Sequence, residues 1–250
     1  MATAENILKI GYEVSKWGYV NITGIGDYKG NILRIPAALD GQKVYAVKEY
    51  AFSDNENIKL VILDEGVKAI HSGAFSFASG IKKVYLPSSL SLLGDCAFVD
   101  SANITDVIFK RNRLITEIQR SAFAGLTNLR NILLPLNLSV IGEYAFFKCT
   151  SLPEIKLPDT MRKIEACAFL ECKSLESINI PRGVSFIGES AFLGCDNLRE
   201  MHFEECDGWF ANGKRIDYGI LNNPASAAKL FTNAKAENIS FKWIDQGELI

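Results

Sequence analysis

The chain has 250 residues, of which 48% are apolar, and a formal net charge of −2. That apolar fraction is too high for a disordered chain, and the near-neutral balance leaves no basic stripe for nucleic acid. No apolar run approaches the roughly 20 residues of a membrane-spanning helix.

Met1 to Lys9 holds neither a basic n-region nor an apolar h-region, so no signal peptide is expected there. Two settings stay open: the cytoplasm if Met1 is the native start, or the cell surface or periplasm if a leader has been removed. Trp17 to Thr23 alternates and is rich in β-formers, Gly24, Gly26, Asp27 and Gly30 make a turn region, and Leu33-Arg34-Ile35-Pro36 is a second extended run. This spacing predicts a β-hairpin. Leu33 and Ile35 also fall where a first coil of the repeat described next would begin, and the Tyr19–Ile22 strand would shield its open edge. Residues 1–43 are expected to form this N-terminal cap and partial coil.

From residue 44 to 203 the chain repeats. Ala-Phe pairs end at Phe52, Phe75, Phe98, Phe123, Phe146, Phe169 and Phe192, in steps of 23, 23, 25, 23, 23 and 23 residues. Six, nine and eleven residues after each Phe, and five and eight before it, every side chain is aliphatic, Met or Phe. One repeat cannot bury such a set alone, so the coils must stack in register. Each coil is expected to hold one clear strand at the nine-to-eleven positions, paired in parallel with its copies about 4.8 Å away. Pro87, Pro135, Pro158 and Pro181 end these strands, having no N–H for the ladder. The back of each coil reads as extended with short turns of helix, and Gly94, Gly142 and Gly188 fall at its bend. A back bulkier than the strand side would curve the stack, with the sheet on the concave face.

The pattern L-x-x-I-x-L-P followed by L-x-x-I-G-x-x-A-F-x-x-C resembles a leucine-rich repeat. Its clearest copy is Leu152-Pro153-Glu154-Ile155-Lys156-Leu157-Pro158, then Met161, Ile164 and Ala168-Phe169-Leu170-Glu171-Cys172. The 23-residue length, the Ala-Phe pair and the Pro after the strand resemble the Treponema pallidum type, also called BspA-like. The resemblance implies an α/β or mainly-β solenoid: a right-handed arc with a parallel sheet on the concave face, capped at both ends. It also implies non-enzymatic protein binding, in adhesion, host contact or coaggregation at a bacterial surface.

Cys149, Cys172 and Cys195 fall three after their Phe, and Cys96 and Cys167 two before, in rows of small residues. With no C-x-x-C, buried free thiols are the leading expectation, beside a disulfide between neighbouring coils or an adventitious metal. No cofactor is expected. The 25-residue step places its two extra residues in Lys110-Arg111-Asn112-Arg113. This makes a basic loop at one rim, either simply solvated or a dock for an acidic partner through Lys110, Arg111 and Arg113.

Outward strand positions should be polar where a sheet meets water. In the N-terminal half they are not: Leu60, Ile62, Tyr85, Ile108 and Leu133 form an apolar row, followed in later coils by Lys156 and His202. The row reads as a contact surface for a protein partner, for self-association or for a hydrophobic ligand. The competing reading is that the N-terminal loop or C-terminal tail folds over it. Catalysis is not expected, since His71 and His202 are the two histidines and no H-E-x-x-H, G-x-S-x-G or glycine-rich phosphate loop occurs. A hydrolase built on His202 and Glu200 is the weakest reading.

After Phe203 the period stops, and residues 204–250 are expected to form the C-terminal cap. Cys206, Trp209 and Phe210, with Gly208 and Gly213, suggest an aromatic plug. Asn223-Pro224 signals a helix start, and Ser240 to Ile244 alternates like a last strand.

Overall fold

The computed structural model of the chain describes residues 9–211, 214–233 and 240–243; the readings at Met1–Leu8, Gly213 and Ile244 lie outside them. Leu60–Leu63, Lys83–Leu86 and Asp106–Phe109 each bury every second side chain, as a strand with one wet face must. They pair in parallel, beginning with Ile32–Ile35 and ending with Asn131–Leu133. Ser177–Ile180 and Glu200–Phe203 continue this front ladder as a parallel pair. The result is the expected parallel-stranded solenoid, of about eight turns.

One rung departs from the expected strand. Between Asn131–Leu133 and Ser177–Ile180 the coil joins the ladder only through a bridge from Glu154 to Ser177. Pro153 and Pro158 bracket it and neither has an N–H to donate. The copy that fits the repeat pattern best is therefore the weakest rung at the front.

The back is extended, as expected. Instead of helical turns it carries a second ladder of two-residue parallel strands: Ala69–Ile70 with Leu92–Leu93, then Glu117–Ile118, Val140–Ile141, Lys163–Ile164 and Phe186–Ile187. Left-handed residues two before and two after the anchor Phe turn the chain around the ring. Tyr50 and Asp54 flank Phe52 with φ of 55° and 56°, and Tyr144 and Lys148 flank Phe146 with 56° and 57°. A single left-handed residue reverses the chain and cannot propagate a helix. Glycine at the bend serves close approach: a Cβ on Gly94 would lie 2.6 Å from the Ser72 nitrogen, and one on Gly188 2.4 Å from that of Ala166.

Between the ladders lies one continuous core. All seven anchor Phe side chains are at most 1% exposed. Successive rings stack at 5.2, 5.1, 5.8, 5.6, 5.3 and 5.2 Å. The thiols of Cys149, Cys172 and Cys195 donate to the carbonyls of Phe123, Phe146 and Phe169 at 3.3, 3.1 and 3.1 Å. Ser101 donates to the Phe75 carbonyl in the same way, at 2.6 Å. Where this row holds Ser or Cys, its one donor thus ties the coil to the carbonyl of the anchor Phe in the coil before. All six cysteines are free.

At the N-terminal end, Gly11–Val14 and Val20–Gly24 form an antiparallel hairpin, and the second strand pairs in parallel with Gln42–Val47 on the back. The expected pairing of residues 17–23 with 33–36 does not form. Leu33 and Ile35, both 0% exposed, instead take Ile32–Ile35 into the front ladder. At the other end stand helices α1 (Tyr218–Leu221) and α2 (Pro224–Thr232). The Asn223 side chain caps α2 by accepting from the Ser226 N–H at 3.0 Å. Phe231 of α2 closes the ring column, 6.4 Å from Phe192 and 5.6 Å from Phe203. Phe241–Trp243 runs antiparallel to Phe186–Ile187, and Trp209–Ala211 and then Lys214–Arg215 extend the back ladder beyond it, both antiparallel.

Candidate interaction surface

The register of the front ladder turns sequence spacing into two outward columns. One holds Leu60, Lys83, Asp106 and Asn131; the other holds Arg34, Ile62, Tyr85, Ile108 and Leu133, each opposite its neighbour. At about 4.8 Å per rung the apolar stripe from Ile62 to Leu133 is about 15 Å long. Leu60, Ile62 and Ile108 are half-buried, while Tyr85 is 38% and Leu133 60% exposed. The described parts of the caps sit elsewhere: the hairpin joins the back ladder, and α2 packs on the last front strand.

Cations stand at both ends of the stripe. Arg34 Nε lies 3.0 Å from Asp64 Oδ1, on a half-exposed side chain. Beyond Leu133 comes exposed Lys156, on the proline-interrupted coil. Grooves flank the stripe: one of about 620 Å³ lies along Arg34, Ile62, Tyr85, Ile108 and Lys110. The other, about 480 Å³, lies along Phe109, Arg111, Leu133, Leu136 and Lys156.

In the adjacent column Asp106 is the hub, accepting from Thr105 Oγ1 at 2.6 Å and Asn131 Nδ2 at 3.0 Å, with Lys83 Nζ at 3.4 Å. The Thr105 hydroxyl, with smaller help from Asn131 and Lys83, holds the carboxyl below its ordinary range against its partial burial. This network ties three rungs together beside the stripe.

The rim loop is built differently from its sequence reading. Asn112, lying among the cations, is wholly buried. Its Nδ2 donates to the carbonyls of Leu90 and Pro87 at 2.7 and 3.1 Å, and its Oδ1 accepts from the N–H groups of Ile115 and Leu114 at 2.9 and 3.0 Å. The loop is thus pinned, with Lys110, Arg111 and Arg113 exposed around it. Lys110 reaches Glu65 at 3.6 Å. Burial pushes the Glu65 carboxyl up, but hydrogen bonds from Ser88 and Ser89 and the Lys110 charge outweigh it and leave the group below its ordinary value. Asn112 was not visible as a structural residue in the sequence. A signal does exist in the equivalent residues of other coils: Ser89 and Thr160 each donate to a carbonyl 22 residues earlier, as Asn112 does.

His202 Nε2 and Glu200 Oε2 lie 3.1 Å apart, both exposed, on the last front strand. The structure does not bring them to the apolar stripe. Among the described residues no group of three or more His, Cys, Asp and Glu side chains could hold a metal ion, and no helix is long and apolar enough to cross a membrane.

The BspA type leucine-rich repeat region matches residues 38–135 and 116–208, in six copies. A leucine-rich cell surface protein of Faecalibacterium prausnitzii A2-165 superposes with a TM-score of 0.66 at 25% identity, over 80% of this chain and 54% of its own. The T. pallidum leucine-rich repeat protein gives 0.56 at 26% identity, over 79% of this chain and 81% of its own. A leucine-rich repeat protein of Eubacterium ventriosum gives 0.63 at 22% identity, over 74% and 50%. The chain thus spans about half the length of the first and third of these. No curated protein matches it.

Proposed function

Since the chain belongs to the BspA-type leucine-rich repeat family, we propose that it is a non-enzymatic protein-recognition module, acting in adhesion or host contact through its front ladder. One observation carries this reading: Ile62, Tyr85, Ile108 and Leu133 stand in a single register on a strand face that should be polar, with Tyr85 and Leu133 open to solvent. Exposed Lys156 and Arg111 at the Leu133 end of the stripe suit a partner segment that is apolar at its centre and acidic at that flank. The Faecalibacterium protein, a cell surface protein, supports the surface setting. Lys156 and His202 extend the contact into the polar half, and Lys110, Arg111 and Arg113 add a basic margin.

The test is a double variant, Ile108→Glu with Leu133→Glu. Binding of the purified chain to epithelial-cell monolayers should fall by at least about tenfold, with the thermal midpoint held. Unchanged binding would overturn the proposal. Self-association, or capture of a small hydrophobic ligand, by the same exposed stripe is the second reading. It predicts a concentration-dependent mass in light scattering, or bound hydrophobic dye, that the double variant abolishes.

A further inference from the structure

Away from the front ladder, the N-terminal hairpin builds a second surface. Trp17, Tyr19 and Tyr45 are 73%, 42% and 45% exposed. They line one cleft of about 510 Å³ together with Asn21, Lys48 and His71, a size within the range of small-ligand sites. The Tyr19 and Tyr45 ring centroids are 5.5 Å apart, with planes tilted by 47°.

The rings are held before any ligand arrives. The Ser15 N–H donates to the Tyr19 carbonyl at 2.8 Å, the Gly18 N–H donates to the Ser15 carbonyl at 2.9 Å, and the Ser15 hydroxyl accepts from the Tyr19 N–H at 3.1 Å. Gly18 takes the left-handed conformation the turn needs, with φ of +77°. Lys16 Nζ stands 4.4 Å over the Trp17 ring, a cation–π contact that steadies it. Tyr45 stands on Gln42–Val47, the back-ladder strand that pairs with the hairpin.

The chemistry of the cleft restricts its occupant. Its two basic side chains already have partners: Lys48 lies 3.6 Å from Glu13, and His71 Nδ1 lies 3.6 Å from Glu49. An anionic ligand would compete with Glu13 or Glu49 for these groups or draw Lys16 off the Trp17 ring, and a cationic one would face Lys16 and Lys48. The floor offers flat rings, which suit the C–H face of a ring more than a flexible aliphatic chain. Around it stand the Asn21 amide, which both donates and accepts, the tyrosine hydroxyls and Ser15. A neutral molecule with one apolar face and a rim of hydroxyls answers all three features.

We propose that this cleft binds neutral saccharides, with pyranose rings stacking on Trp17, Tyr19 and Tyr45 and their hydroxyls bonding to Asn21 and its polar neighbours. The site is independent of the front stripe, and each can fail without the other.

The test is tryptophan fluorescence and calorimetric titration of the full chain with maltotriose, xylotriose, mannotriose and N-acetylchitotriose, beside sialyllactose as an acidic control. At least one neutral saccharide should bind saturably with Kd on the order of 1 mM or tighter. Trp17→Ala should weaken it at least about tenfold, while Trp17→Phe, which keeps a flat ring, should stay within about threefold. Because Trp17 is an exposed turn residue, Trp17→Ala should leave the circular dichroism spectrum and thermal midpoint unchanged. The front-face variant Ile108→Glu with Leu133→Glu should bind the saccharide normally. Failure of all four neutral saccharides to bind, binding of sialyllactose alone, or affinity untouched by Trp17→Ala would each overturn the proposal.

Discussion

Phe98 stacks on Phe123 at 5.8 Å with planes 12° apart, although 25 residues separate them where 23 is the rule. The two additional residues are absorbed at the rim and leave the ring column unbroken. The back ladder is less tolerant, since its parallel pairs stop at Leu92–Leu93 and resume with Glu117–Ile118. The Phe column and the front ladder together carry the core through the irregular coil. Phe98→Ala should cost about 3–5 kcal/mol, measured by urea unfolding. A loss below about 1 kcal/mol would mean that the stack is incidental.

Asn112 should rank with the core residues despite being polar and in a loop. Asn112→Ala removes the partners of two carbonyls and two N–H groups in a buried setting, for a cost of about 2–3 kcal/mol. Neighbouring Arg113→Ala, which removes an exposed side chain, should stay within about 0.5 kcal/mol. Comparing the two variants separates a pinned loop from a solvated one.

The thiols offer a readout that needs no ligand. Burial pushes the Cys149 and Cys172 thiols up, and Cys195 and Cys206 are buried as well. Native protein at pH 8 should give a slow reaction with Ellman's reagent only at half-buried Cys96 and Cys167. The other four should appear after denaturant is added. Rapid labelling of Cys172 in the native state would contradict the packed column.

The left-handed positions predict a stabilising change. Ser190 has φ of 53°, in the place that Gly73 occupies with φ of +62° in an earlier coil. The left-handed conformation costs an L-residue about 1–2 kcal/mol, while a glycine gives up about 0.5–1 kcal/mol in chain entropy. Relief wins by a small margin, so Ser190→Gly should stabilise by about 0.5 kcal/mol. Ser190→Val, branched at Cβ, should destabilise by about 1–2 kcal/mol. Thermal midpoints for the pair decide the sign.

Acid should weaken the fold through Asp106. Its folded-state carboxyl lies below its ordinary value, chiefly through Thr105. The stability it contributes is thus complete above the unfolded carboxyl's range and is lost as pH falls through that range toward the lower folded value. Lys83 and Asn131 face it from the neighbouring rungs. Asp106→Asn should flatten the fall of the thermal midpoint below about pH 5. An identical slope in the variant would remove Asp106 from the acid response.

Much of the fold was legible because its period lies in the side chains. The Phe rows, the front strands and the Asn223–Pro224 helix start follow from local chemistry repeated at fixed spacing. What stayed hidden is non-local. Nothing near Trp17 says that the strand after it, Val20–Gly24, has Gly11–Val14 as its antiparallel partner, with Gln42–Val47 in parallel beyond. Nothing in a two-residue run such as Lys163–Ile164 marks it as a strand until the coils are stacked. The candidate surface was half legible. Alternation picked out Leu60, Ile62, Tyr85, Ile108 and Leu133, but Arg34 joins their column only through the register, and the Asp106 hub needs three rungs to exist.

Inter-coil strand pairs along the front, and within each stretch of the back ladder, join neighbouring turns, so no turn depends on a distant one. An in-frame duplication of 23 codons within the regular body would insert one more turn, add one side chain to each outward column, and leave the two ends intact. Length in this scaffold is therefore heritable as a whole-number quantity, and the reach of its binding face can change by gene slippage without a single substitution.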